Sequence, residues 1–174
     1  MIATLPEKSS VKQVQIYQTT FLVIGYGNLS QGDDGLGQLV AQAVGDWGLS
    51  YVEAVAVPQL TLELVDAIAA SEYVLFVQAC HHKQNCRTQI TPLCLGVNPG
   101  ELQKPVLAYP CSPKYLLNLS QTLCGRQPQA WLLETPAEEF EGDQLSNVAQ
   151  EVISRTLDKI SLFLRSYTPI YIAS

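Results

Sequence analysis

One stretch of the chain decides the fold: Phe21-Leu22-Val23-Ile24-Gly25-Tyr26-Gly27-Asn28-Leu29-Ser30-Gln31-Gly32-Asp33-Asp34-Gly35. It opens with four apolar residues in a row, as expected of a strand that is buried on both faces of a sheet. A glycine-rich loop follows, and apolar residues between Leu36 and Trp47 then recur at helical spacing. A buried strand, a loop and an amphipathic helix in this order predict the first unit of an α/β sheet.

The same alternation continues along the chain. Further strands are predicted at 51–57, 73–77 and 130–133, and helices at about 61–69, 112–123 and 146–163. Residues 88–95 read as an edge strand because they contain Pro92, and 98–110 as a long loop. We therefore predict a single three-layer α/β domain over 18–174, with a mainly parallel twisted sheet of about five strands between helices. Residues 1–17 show no clear period and are predicted to form a mobile arm.

Composition excludes several classes of protein. Hydrophobic residues make up 47% of the 174 residues and charged residues 15%, which is typical of a globular chain and not of a disordered one. A net charge of -6 without a Lys/Arg cluster argues against nucleic-acid binding. The longest apolar runs are far shorter than the roughly 20 residues that span a bilayer, and the first residues are not a signal peptide. These features predict a cytoplasmic protein whose five cysteines are mostly free thiols.

The glycine-rich loop has two further interpretations. A dinucleotide fingerprint would need glycine where Ser30 stands, and Asp33 and Asp34 would repel a phosphate at the helix entrance. A helix cap explains one of these two carboxylates. The other is surplus to capping and lies at the carboxyl end of a strand, where ligands bind in open α/β sheets. A carboxylate there suits a hard or borderline cation.

The motif G-x-G-N-x-x-x-x-D-[DE]-G, formed here by residues 25–35, resembles that of the hydrogenase maturation protease family. Further landmarks follow in the family's order, so that the similarity covers about 21–164: Gln59-Leu60-Thr61, Glu63-Leu64, Gln78-Ala79, Ala130 to Leu133, Phe140-Glu141 and Leu145-Ser146. The resemblance implies an endopeptidase that trims the C-terminal tail of the large subunit of a nickel–iron hydrogenase. It also implies that the partner is this large subunit, that no cofactor is intrinsic, and that nickel is contacted as part of the substrate.

The resemblance also implies site residues. The family's metal contacts fall on Asp34, on Gln78 in place of an aspartate, and on a histidine position within 109–114, where Pro110 and Lys114 are the candidate replacements. An amide oxygen is a weaker ligand than a carboxylate, so Gln78 would contact a metal only weakly. The implied crevice comprises Gly25, Gly27, Asn28, Asp33, Asp34, Gly35, Gln78 and Lys114. No group that would catalyse peptide hydrolysis can be identified.

A substitute metal site is a separate possibility. Cys80, His81 and His82 come just after Gln78, and Cys111 could join them from another loop. The alternative is a polar surface loop with stray thiols, since no standard zinc spacing is present. The carboxylates between Glu134 and Asp143 are interpreted as the rim of the crevice. Two functions stay open: a maturation endopeptidase, and a non-catalytic homologue that acts as a binding or assembly factor for a hydrogenase-like large subunit.

Overall fold

A computed structural model describes residues 20–80, 87–94 and 111–167 of the chain. The described strands are β1 (Phe21–Tyr26), β2 (Val52–Val57), β3 (Tyr73–Cys80), β4 (Gln89–Pro92) and β5 (Gln129–Pro136). The helices are α1 (Leu36–Gly45), α2 (Val65–Ala70), α3 (Pro113–Cys124) and α4 (Asn147–Tyr167), with 3-10 turns at Gly32–Gly35 and Leu62–Leu64. The predicted arm at 1–17 and the predicted loop at 98–110 lie outside the described residues.

The strands form one five-stranded sheet in the order β2-β1-β3-β5-β4. The first four of these strands pair in parallel, and β4 pairs antiparallel with β5 at the edge. This confirms the predicted single α/β domain with a mainly parallel sheet of five strands. Pro92 is the last residue of the edge strand β4, where its missing N–H costs no hydrogen bond to β5.

The core has two halves because successive side chains of a strand point to opposite faces of the sheet. Leu22 and Ile24 of β1 pack in one cluster with α2 and α3. Phe21 and Val23 pack in the other cluster with α1 and α4. Side chains such as Ile24 are fully buried, and each contributes about 2 kcal/mol of hydrophobic free energy. The apolar run that predicted β1 is therefore apolar on both faces because helices cover both faces.

Strands β3 and β5 extend well beyond their predicted ends. The pairing of β3 with β5 continues past Val77 and Leu133 through the pairs Gln78↔Glu134, Ala79↔Thr135 and Cys80↔Pro136. Polar residues interrupt the apolar pattern at these positions, so the hydrophobic run ends before the hydrogen-bonded ladder does. As a result Gln78 and Glu134 are neighbouring strand residues rather than loop residues.

The helix ends follow local chemistry. Ser112 caps α3, because its hydroxyl accepts from the Tyr115 N–H at 3.2 Å and Pro113 occupies the first helical position. The helix predicted at about 61–69 begins later than expected: the Thr61 side chain makes no capping hydrogen bond, and a 3-10 turn precedes α2. The last helix runs past its predicted end at Phe163 to Tyr167, whose ring contacts Trp131 at 5.1 Å between ring centroids.

No helix among the described residues is long and apolar enough to cross a membrane.

Candidate functional site

A crevice of about 250 Å³ lies at the carboxyl ends of β1, β3 and β5. The residues that line it are Tyr26, Gly27, Asp34, Gln78, Ala79, Cys80 and Glu134. The topology explains the position, because the carboxyl ends of neighbouring parallel strands meet at one edge of the sheet, where α/β proteins bind ligands. The loop between β1 and α1 forms one wall, and the ends of β3 and β5 form the other.

Two glycines of the loop have different roles. Gly25 packs against the backbone of Gly37 in α1, where a Cβ atom would collide with the Gly37 carbonyl oxygen. Gly25 is therefore a packing residue beneath the crevice rather than part of its lining. Gly27 has a φ of +137° and its Cα faces the Asp34 carbonyl, so it combines a backbone conformation that favours glycine with a close backbone approach.

Asp34 is held at the mouth of the crevice by its own loop. Its Oδ2 accepts from the Asn28 N–H at 2.6 Å, and the Asn28 side chain in turn accepts from the Ser30 N–H at 2.9 Å. On the α1 side, the Gln38 amide donates to the Gly27 carbonyl at 2.5 Å. Asn28 is thus a support for Asp34 and does not itself line the crevice, and Gly35 packs against Leu29 on the outer side of the loop.

The Asp33 carboxylate contacts residues 138–146, whereas the neighbouring Asp34 lines the crevice. This corrects the prediction that Asp33 lines the crevice. It is fully buried and accepts four hydrogen bonds at 2.7 to 3.0 Å, from the N–H groups of Glu138, Glu139 and Ser146 and from the Ser146 hydroxyl. Burial raises the pKa of Asp33, but the four hydrogen bonds lower it by more. The pKa of Asp33 therefore lies below its ordinary value. Its carboxylate fastens residues 138–146 to the crevice loop.

The predicted capping role of the carboxylates is also wrong for the helix that follows them. Neither the 3-10 turn at Gly32–Gly35 nor α1 has a side-chain capping bond at its start. Instead Asp33 supports the start of a distant helix, since the Ser146 hydroxyl that it binds also accepts from the Ala149 N–H at 3.0 Å. The Asp33 carboxylate therefore supports the start of α4.

A hydrogen-bonded row crosses the floor of the crevice. The Tyr26 hydroxyl donates to Oε1 of Gln78 at 2.6 Å, and Nε2 of Gln78 donates to Glu134 at 3.5 Å. The other oxygen of Glu134 accepts from the Gln89 amide at 3.4 Å. Burial, and secondarily the charge of Glu134, raise the pKa of Tyr26, so the phenol stays protonated. The row joins β1, β3, β5 and the edge strand β4.

Little in the sequence points to this row of hydrogen bonds. The site predicted from the sequence does not include Tyr26, and it places Glu134 in the acidic rim as its first residue. The register of β3 and β5, which places Gln78 opposite Glu134, is the signal that would have found the pair. That register follows from tertiary pairing and not from a local pattern.

The substitute metal site is not assembled by the described residues. Cys80 lines the crevice, whereas His81 and His82 lie outside the described residues. Cys111 is buried in the core beside α2 and α3, where its N–H donates to the Leu60 carbonyl and burial raises the pKa of its thiol. Across 20–80, 87–94 and 111–167 there is no group of three or more His, Cys, Asp or Glu side chains that could hold a metal ion.

Lys114 is exposed in the first turn of α3 and is not among the residues that line the crevice. The described lining contains two carboxylates, an amide, a phenol and a thiol, but no histidine and no basic side chain. It therefore offers no nucleophile–histidine pair of the kind that serine and cysteine hydrolases use.

Solved structures share this architecture. The hydrogenase maturating endopeptidase HybD from Escherichia coli superposes with a TM-score of 0.63 at 20% identity, over 85% of this chain and 93% of that chain. The nickel–iron hydrogenase maturation protease HycI from Thermococcus kodakarensis gives 0.65 at 19% identity, over 86% and 95%. A hydrogenase 2 maturation peptidase from a Thaumarchaeota archaeon gives 0.63 at 21% identity, over 84% and 99%.

The chain has the hydrogenase maturation protease fold. No protein-family model and no curated protein sequence matches it, and identities near 20% establish the shared fold alone. In the maturation protease fold of this chain, the loop motif at 25–35 and the ends of β3 and β5 border one crevice.

Proposed function

We propose that this chain belongs to the hydrogenase maturation proteases and acts on the large subunit of a nickel–iron hydrogenase or of a related complex. The observation that carries the proposal is the position of Asp34. It is the second acid of the loop motif, and the loop holds it at the mouth of a crevice in the maturation protease fold. The activity that follows from this assignment is removal of a C-terminal tail by endoproteolysis.

In this proposal nickel belongs to the substrate and not to the protein. The large subunit would present its metal to the crevice, where Asp34 is the charged contact and the Gln78 oxygen a weak one. One lone pair of that oxygen already accepts from Tyr26. A metal held by the partner needs few ligands from this chain.

The second candidate is a non-catalytic assembly factor that binds the same subunit without cleaving it. The neutral Gln78, hydrogen-bonded on both sides, favours this candidate, because an amide in place of a carboxylate weakens any contact with nickel. A partner that carries no nickel would be compatible with such a crevice. Both candidates place the protein in the cytoplasm, as its sequence predicts.

One experiment separates the candidates. A purified large-subunit precursor, with and without installed nickel, is incubated with the protein, and the mixture is analysed by size-exclusion chromatography and intact-mass spectrometry. Loss of a C-terminal peptide that depends on nickel identifies an endopeptidase. Co-elution with the precursor mass unchanged identifies an assembly factor. If the protein neither co-elutes with the precursor nor cleaves it, the proposal is refuted.

A further inference from the structure

The two edges of the sheet differ in how many backbone hydrogen-bonding groups they leave open. Strands β2 and β4 stand at the two ends of the strand order, so each has a neighbouring strand on one side only. An edge strand with free N–H and C=O groups can pair with a further extended chain, and proteins block such edges with proline, lysine or short strands. A free edge is therefore a place where an extended segment of a partner can add a strand.

Strand β4 has a largely blocked outer edge. Its alternate residues bond to β5, as the Leu93 N–H does just after the strand, so the residues whose backbone groups face outwards are Ile90 and Pro92. Pro92 has no N–H to donate. Just before the strand, the Thr88 carbonyl accepts from Nζ of Lys159. This four-residue edge therefore has the Ile90 N–H as its one outward donor.

Strand β2 has an open outer edge. The Phe21 N–H of β1 donates to the Tyr51 carbonyl, and the parallel register then directs the odd-numbered residues of β2 towards β1 and the even-numbered ones outwards. The outward groups belong to Val52, Ala54 and Ala56. The Val52 N–H donates within the preceding turn, but no described residue bonds to the N–H groups of Ala54 and Ala56 or to the three carbonyls.

The side chains of β2 also suit an added strand. Glu53 is its one charged residue, and the other five are valine or alanine. Edge strands that stay unpaired often contain lysine or proline, and 52–57 contains neither. Val52, Val55 and Val57 are half-buried, so a strand laid beside them would remove further apolar surface from water.

We propose that the outer edge of β2 binds the C-terminal tail of the partner subunit as an added antiparallel strand. The inference rests on the proposed function, which supplies a chain segment that has to lie at the crevice. An extended backbone presents alternating donors and acceptors at the spacing of those on β2, and such main-chain hydrogen bonds give strand addition its affinity. Ala54 and Ala56 would each exchange two hydrogen bonds with the tail residue opposite.

The position of the crevice sets the direction of the tail. Val57, at the carboxyl end of β2, lies beside Tyr26, which lines the crevice. The tail follows the bond to be cut, so a tail that starts in the crevice runs from Val57 towards Val52, antiparallel to β2. The added strand would lie two strand spacings, about 10 Å, from β1, and about three extended residues span this distance.

Hydrogen exchange tests the inference without any variant. A synthetic peptide with the C-terminal tail sequence of a large-subunit precursor is added to ¹⁵N-labelled protein, and amide exchange is followed by NMR. In the free protein we expect the amides of Ala54 and Ala56 to exchange fast and those of 53, 55 and 57 slowly, because only the latter bond to β1. Saturating peptide should slow exchange at Ala54 and Ala56 at least about tenfold and leave the odd-numbered amides unchanged.

A matched pair of variants tests the role of one outward N–H. Ala56→Pro removes this N–H without removing a hydrogen bond to β1, whereas Ala56→Ser keeps it. We expect Ala56→Pro to bind the peptide at least about fivefold more weakly and Ala56→Ser to bind within about twofold of the wild type. Equal affinity of the two variants would overturn the inference.

The outcomes separate the inference from the proposed function. If the precursor co-elutes with the protein or is cleaved, but the peptide does not protect Ala54 and Ala56, the inference fails and the proposed function stands. If the peptide protects these amides but the precursor is neither bound nor cleaved, strand addition at β2 stands and the proposed function fails. If both amides are already protected in peptide-free protein that elutes as a dimer, a second copy occupies the edge and the inference is overturned.

Discussion

Removal of the buried carboxylate of Asp33 should lower the free energy of unfolding, because this carboxylate accepts four hydrogen bonds. Oδ2 accepts three hydrogen bonds, from the N–H groups of Glu138 and Glu139 and from the Ser146 hydroxyl, and Oδ1 accepts one from the Ser146 N–H. Asp33→Ala deletes all four acceptor contacts. Asp33→Asn can keep an oxygen at the Oδ2 position but sets an NH₂ group against the Ser146 N–H.

The magnitude follows from how well the abandoned donors can find water. A hydrogen bond to a charged group contributes about 1.5 to 3 kcal/mol, so a simple sum over the contacts would be too large. Glu138 and Glu139 are exposed residues whose N–H groups can be rehydrated, and the Ser146 hydroxyl can rotate. We therefore expect Asp33→Ala to lower the free energy of unfolding by about 3 to 5 kcal/mol and Asp33→Asn by about 2 to 3 kcal/mol.

Urea unfolding followed by circular dichroism measures these differences. Asp143→Ala is the matched control, because it removes an exposed carboxylate from the same acidic segment and should change stability by less than about 0.5 kcal/mol. If Asp33→Ala were no more destabilising than Asp143→Ala, the assignment of Asp33 as the fastener of residues 138–146 would be refuted.

The contribution of Asp33 to the free energy of unfolding should also depend on pH. The folded-state pKa of Asp33 is lowered from 3.8, so its contribution to stability is complete above about pH 4 and is lost as the pH falls through the folded-state pKa. The gap in unfolding free energy between the wild type and Asp33→Asn should therefore narrow in acid. A gap that is constant from pH 7 to pH 2.5 would contradict this assignment.

Two further predictions concern packing. Gly37→Ala should destabilise the protein by about 2 to 4 kcal/mol, because a Cβ there would collide with the carbonyl oxygens of Tyr26 and Val77, whereas Gly45→Ala in the same helix meets only Ala54 at 3.6 Å and should be neutral or stabilising by up to about 1 kcal/mol. Thermal unfolding of the two variants tests this, and equal melting temperatures would contradict it. Thr156→Val should leave the free energy of unfolding unchanged or raise it by up to about 1 kcal/mol, since the buried hydroxyl finds no hydrogen-bond partner in the described part of the chain. A loss above about 1 kcal/mol in urea unfolding would show that this hydroxyl is satisfied.

The fold was predictable because its signals are local. The run Phe21 to Ile24 is apolar at every position, and only a strand covered on both faces needs that pattern. The ends of β3 and β5 were less predictable, because the hydrogen-bonded pairing of these strands continues beyond their apolar residues. Gln78 and Glu134 are polar, yet they are strand residues because pairing between β3 and β5 continues through them.

The site was predictable in part for the same physical reason. Asp34 is held by the Asn28 N–H only six residues away, and the sequence placed it at the crevice. The partners of Asp33 lie 105 to 113 residues away, so no local pattern could separate the roles of two adjacent aspartates. The roles of Glu134 and Tyr26 could not be predicted for a similar reason, because their contacts with Gln78 form only when the strands pair in the sheet.

Isothermal titration calorimetry can show whether the crevice beside Asp34 binds a hydrogenase large subunit, as we propose. A purified large-subunit precursor is titrated with the wild type, with Asp34→Ala, and with Asp46→Ala, which removes an exposed carboxylate at the far end of α1. We expect Asp46→Ala to bind as the wild type does and Asp34→Ala to bind at least about tenfold more weakly. Equal affinity of Asp34→Ala and the wild type would contradict it.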